Sequence, residues 1–195
     1  MARIKLTDDL KKAISGLSST QKDKLLYRLI AGNPALAHKL IFELLEGGNT
    51  QDDRRAAVAT EINSTLTNYE AYYHTPGILL LQLRDLSGVI NRHVSTTRDK
   101  YGEVELNLLM VNECFQRFGD RIRVANYPKA RTFNEYVVKR ALKLLTLLEK
   151  MHEDMRLDFK TDLKKLGKYI AAQPTTMMVA KDLMLEVDRL LHPND

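Results

Sequence analysis

The chain has 195 residues, 44% hydrophobic and 28% charged, with 30 Lys and Arg against 25 Asp and Glu. That apolar fraction is the globular norm and excludes a disordered chain, and the length favours one domain, 1–195, built of three parts, 1–48, 50–152 and 153–195. The single cysteine, Cys114, excludes an internal disulfide and a thiolate zinc cluster, and it fits a reducing, cytoplasmic setting.

The first residues turn polar at Thr7, Asp8 and Asp9, too soon for a secretion signal. Apolar runs such as 78–81 and 108–111 are four residues long, whereas a membrane span needs about 20. No membrane partner is expected.

Helical punctuation recurs along the chain. Thr7 with its two aspartates opens a helix that Gly16 ends. Ser18 and Gln21 form a capping box ahead of the stripe Leu25, Leu26, Leu29 and Ile30, which runs to Gly32. Asn33-Pro34 starts a helix carrying Leu36, Leu40, Ile41, Leu44 and Leu45, and Gly47-Gly48 stops it. Thr50 with Asp53 begins a longer helix that ends near His74. Thr75-Pro76 begins another, with Ile78, Leu79, Leu80, Leu83, Leu86, Val89 and Ile90 apolar, until Ser95-Thr96-Thr97 and Gly102 interrupt the pattern.

A helix over 103–118 carries Val104, Leu108, Val111, Phe115 and Phe118 at steps of four and three. Further apolar residues at Leu106, Leu109, Met110 and Cys114 mark it as buried on several sides. Residues 119–131 lack helical periodicity and read as a loop. Thr132 with Glu135 forms a second capping box for a central helix to about residue 152. A shorter helix with Leu157, Phe159, Leu163, Leu166 and Ile170 comes next. Gln173-Pro174 then breaks the pattern before a last helix to about Leu191.

No period-two alternation is flanked by hairpin turns, so the expected fold is all-α, a bundle of about eight or nine helices. The echo between residues 29–34 and 169–174 raises an α–α superhelix of hairpins as the alternative, but the irregular helix lengths lack a solenoid's fixed period. The helices near 76–94, 103–118 and 132–152 should form the centre, with Leu108, Val111, Phe115, Leu142 and Leu145 buried. The two terminal hairpins should pack outside them.

Little points to catalysis. Glu149 and His152 make one Glu-x-x-His pair where a di-iron bundle needs two. Asp52-Asp53 lacks the third aspartate of a magnesium motif, and Glu43 with Glu46 has no second acidic half. Glycine-rich phosphate loops do not occur. We therefore expect no metal and no cofactor, and an inert Cys114.

The positive signal is electrostatic. Residues 117–143 hold eight basic residues against two acidic ones, a local excess of six where the whole chain nets +5. Phe118, Tyr127, Phe133 and Tyr136 are interleaved, as stacking on single-stranded nucleic acid requires. The candidate anion or nucleic-acid residues are Arg121, Arg123, Tyr127, Lys129 and Arg131. A second cluster, Tyr69, Tyr72, Tyr73 and His74, reads as packing against the next helix with its hydroxyls at the surface, or as a partner patch. Three functions emerge in order of support: a non-enzymatic interaction or scaffold protein with a protein partner, a nucleic-acid or polyanion binder through 117–143, and a helical enzyme whose site is assembled from separated residues.

Overall fold

The computed structural model describes residues 4–193, without the side chains of Tyr127 and Lys129. The fold is all-α and 80% helical: eleven α-helices, nine of them of seven or more residues. One π-helical turn and no strand complete the described residues. The chain forms two compact units, Met1–Gly48 and Asn49–Asp195.

The first unit holds α1 (Asp8–Ser15), α2 (Ser19–Ala31) and α3 (Pro34–Leu40), which runs into a π turn (Ile41–Leu45). Each start is capped as its sequence implies. Thr7 Oγ1 accepts from the Leu10 N–H, and Asn33 Oδ1 from Leu36. Ser18 and Gln21 exchange both bonds of a capping box. Gly47 and Gly48, at φ 60° and 73°, turn the chain out of the helix in the left-handed region that glycine enters without strain.

The expected apolar stripe of α3 does not hold together. In the π turn the Glu46 N–H reaches back five residues to the Ile41 carbonyl. Phe42, on the opposite side of the helix from Leu40, takes the covered face instead. Phe42 is buried, while Leu44 and Leu45 are 73% and 80% exposed.

The second unit holds α4 (Gln51–Glu70), α5 (Pro76–Thr97), α6 (Lys100–Arg123), α7 (Tyr127–Glu149), α8 (Glu153–Leu157), α9 (Lys160–Ala171), α10 (Pro174–Asp182) and α11 (Asp188–Leu191). Helix α6 is its axis and packs against α4, α5, α7 and α9. One helix touching four others describes a bundle; in a solenoid each repeat meets only its neighbours. Leu108, Val111, Phe115 and Leu145 are buried, whereas Leu142 lies half-buried at the edge. The C-terminal helices are part of this core and do not merely cover it: Leu163, Leu166, Ile170, Val179 and Leu190 join the same apolar cluster.

Several boundaries differ from those expected of the sequence. Ser95 and Thr97 do not interrupt α5, because their hydroxyls donate to the carbonyls of Arg92 and His93 within the helix. Gly119 does not end α6. The helix continues to Arg123, drawn inward by the fully buried Ile122. Helix α7 starts at Tyr127, with Asn126 extended before it and Pro128 in its first turn. The expected loop over 119–131 is therefore a three-residue link between helices, and Thr132 and Glu135 lie inside α7. Helix α4 stops at Glu70, before His74.

Two expected helices are each divided. Leu157 sits in the short α8, separate from α9 and 49% exposed. The last helix breaks at Met184, φ 55°, where the Leu185 N–H bonds the Ala180 carbonyl and Leu185 and Val187 turn inward.

Replacing Leu108 or Ile122 with Ala should each cost about 2–5 kcal/mol, read by chemical denaturation. A loss below about half a kcal/mol for Ile122 would return the 119–123 segment to a loop.

Candidate functional site

The five residues singled out from sequence gather at the α6–α7 corner, with Arg121 and Arg123 in the last turn of α6 and Arg131 in the second turn of α7. Tyr127 and Lys129 begin α7, and their side chains lie outside the described residues. The described cations there are engaged within the chain. Arg121 Nη1 donates to the Glu70 carbonyl at 2.9 Å, and its guanidinium lies 5.4 Å from the Tyr73 ring centre. Arg123 pairs with Asp120 at 2.8 Å and Arg131 with Glu135 at 3.1 Å. Arg117 is held by Glu113 at 3.1 Å, and Lys143 by Glu103 at 2.6 Å.

The interleaved aromatics are not a stacking surface either. Phe118 and Phe133 are fully buried, and the hydroxyl of half-buried Tyr136 donates to the Leu83 carbonyl. The pairs at the corner are exposed and contribute at most about 1 kcal/mol each, so they would yield to a stronger anion.

Two polar clusters that no sequence motif marks lie deeper. At the first, Asp99, 3% exposed, is the N-cap of α6, and its carboxylate is shared among three helices. Oδ1 accepts from the Gly102 N–H at 2.8 Å, and Oδ2 accepts from Arg55 Nε of α4 at 2.7 Å. His93 Nε2 of α5 lies 3.1 Å from the same Oδ2. A carboxylate only accepts, so Nε2 is the donor in this contact. Burial pushes the Asp99 carboxyl up, but Arg55, the Gly102 N–H and His93 outweigh it and hold the carboxyl below its ordinary value. Glycine at 102 leaves room for this: a Cβ there would press on the Asp99 carboxylate and lie 2.7 Å from Arg55 Nε.

The second cluster joins α5, α6 and α7. Arg140 donates to Asn107 Oδ1 and Ser87 Oγ at 2.8 Å and to the Tyr136 hydroxyl at 2.9 Å. Ser87 and Tyr136 also bond each other. Both clusters have their polar atoms committed to neighbouring helices, so their chemistry is that of clamps. Nothing in the spacing of Arg55, His93 and Asp99 along the sequence marks them as partners. The nearest signal is an aspartate three residues before a glycine at a helix start.

The other candidates are occupied as well. An open cleft of about 200 Å³ is lined by the buried Leu145, Leu148 and Leu163 and by Glu149, Arg156 and Arg189. Glu149 pairs with Arg189 at 2.6 Å, and Arg156 donates to the carbonyls of Glu149, the last residue of α7, and of Met151 beyond it. His152 caps α8 by accepting from the Asp154 N–H, so Glu149 and His152 each serve another contact. Among the described residues no three His, Cys, Asp or Glu side chains gather as a metal site. Burial pushes the Cys114 thiol up, which suppresses the reactive thiolate. Tyr69 and Tyr73 pack on Phe118, with ring centres 5.9 and 5.4 Å away, and Tyr72 alone of the three is exposed. Contrary to expectation, the Tyr73 hydroxyl is buried, and desolvation pushes it up to about 12.

What stands out instead is the first unit. Among its described residues only Phe42 is buried. Leu26, Tyr27, Leu29, Leu44 and Leu45 are each at least half exposed. By spacing alone these leucines read as a core stripe. The contrary signal is the length of the unit: fewer than fifty residues bounded by a Gly-Gly stop rarely enclose a core of their own.

Two measurements test the Asp99 clamp. In an open helix Gly→Ala gains about 1 kcal/mol; Gly102→Ala should instead lose about 1–3 kcal/mol by overpacking, and a gain would contradict the geometry. The second concerns acid. A carboxyl depressed by folding contributes stability that is complete above its unfolded value, near 3.8, and is lost as pH falls through the folded one. Stability of the wild type should therefore decline below about pH 4, and Asp99→Asn should lower stability at neutral pH and flatten that decline.

Compared with models of protein families, with curated proteins and with solved structures, the chain matches none.

Proposed function

We propose that the chain is a non-enzymatic interaction module whose first unit is the recruiting surface. The observation that carries this reading is the exposure of large apolar side chains on α2 and the π turn, where a single described residue of the unit is buried. Large apolar side chains exposed together mark interaction sites or grooves. The second unit supports the reading by contrast, since most of its apolar residues, unlike those of the first, join one enclosed core and its polar clusters are spent on holding helices together. Polyanion binding has less behind it. The charge excess over 117–143 is real, but the described cations proposed for it are engaged within the chain and two of the four aromatics are core.

The test uses the full-length chain in living cells, with a photoreactive residue at Leu44 or, as control, at the exposed Lys164 of α9. Adducts should form several-fold more at Leu44 and disappear when Leu26 and Leu29 are both changed to Asp. Equal labelling at the two positions, or adducts that ignore the aspartates, would contradict the assignment.

A further inference from the structure

The first unit carries two apolar patches of opposite charge. At about 100° per residue, Leu25, Leu26 and Leu29 of α2 share one stripe, and Lys24 and Arg28 lie one turn apart along its edge. Leu26 and Leu29 are 52% and 56% exposed, and Lys24, Leu25 and Arg28 line a shallow depression with Gln21. Among the described residues neither Lys24 nor Arg28 has a carboxylate partner. The second patch is the π turn, where exposed Ile41, Leu44 and Leu45 stand among Glu43 and Glu46. Glu43 makes a long, exposed contact of 3.7 Å with Lys39, and Glu46 too is engaged within the chain.

We propose that these patches are the two halves of one self-complementary interface. Two copies of the chain pair about a two-fold axis, α2 of each seated on the π turn of the other, with Lys24 and Arg28 facing Glu43 and Glu46. This rests on the reading of the first unit as a recruiting surface and names its occupant. A two-fold dimer requires one surface to carry both members of every contact. Here a basic apolar helix and an acidic apolar turn sit on the same short unit, and the basic half has no acidic partner among the described residues of its own chain. The symmetry uses the pairing twice, so the modest strength of each exposed ion pair is doubled and the leucines of both patches leave water together. Leu44 and Leu45 lie in a π turn, a geometry frequent where a helix serves a function.

The experiment is sedimentation of the purified full-length protein over a range of concentrations at low salt. The wild type should dimerise. Lys24→Glu with Arg28→Glu makes both patches acidic; Glu43→Lys with Glu46→Lys makes both basic. Each double variant alone should raise the dissociation constant about tenfold or more. An equimolar mixture of the two should restore a dimer near wild-type strength, because each acidic patch then meets a basic one. Circular dichroism confirms that both variants keep their helices, and a misfolded variant could not give the rescue. A wild type that stays monomeric at about 100 μM, a dimer insensitive to both variants, or folded variants without rescue overturns the proposal. A monomer whose Leu44 probe still captures a different protein removes the second copy as occupant and leaves the recruiting surface standing. A monomer without adducts removes both.

Discussion

Helix α6 cannot face water. Of its 24 residues, twelve are buried, and they do not confine themselves to one stripe: Val104, Leu108, Val111, Phe115, Phe118 and Ile122 lie along one seam, with Leu106, Met110 and Cys114 beside it. A helix apolar on several sides is stable only when enclosed. Helices α4, α5, α7 and α9 provide the enclosure, and their own buried stripes, such as Val58, Ile62 and Leu66 of α4, are the complement of that demand. The polar groups caught inside fix which helix lies where. Asn112 donates to the Asp162 carbonyl ahead of α9's second turn, Asn107 meets Arg140 of α7, and Asp99 ties the start of α6 to α4 and α5. Apolar packing alone tolerates sliding; a buried donor or acceptor left without its partner costs about 1–3 kcal/mol, so these contacts hold the register.

Much of this is legible in the sequence where the signal is local. Thr7, Ser18 with Gln21, Asn33-Pro34 and Thr75-Pro76 announce helix starts, and each is a cap in the structure. The identity of the central helices comes from periodicity. Misreadings arise where packing overrides a local signal. Gly119 looks like a stop, but the four-and-three rhythm that reaches Phe118 extends one more step to Ile122, and burial of that side chain carries the helix past the glycine. Asn126 and Pro128 are the true start signal of α7, and the box at Thr132 and Glu135 is a decoy inside it. The polar clusters are illegible for a different reason: Arg55 and Asp99 are 44 residues apart, and only the folded bundle brings them to 2.7 Å.

The candidate site illustrates the same limit. Counting charges over 117–143 finds a true excess, but a count does not show that Arg123 has Asp120 beside it or that Phe133 lies in the core. The apolar surface of the first unit is hidden from sequence because a leucine stripe on a capped helix reads identically whether the stripe is covered or open. Helices this short hold their shape in water only marginally through caps and propensity, and tertiary burial normally supplies the rest. The first unit has the caps and little of the burial. Its exposed leucines are therefore a stability deficit, and under the proposed function a partner that covers them would remedy it.

Native-state hydrogen exchange resolved residue by residue at several protein concentrations tests this most directly. The account predicts that amides of α6 and of the helices around it exchange only through global unfolding, at every concentration. It predicts that amides of α2 and α3 exchange far faster in dilute protein and slow markedly as concentration rises. Protection of α2 and α3 equal to that of α6 in dilute solution would contradict it, for the first unit would then be stable without anything to cover its leucines.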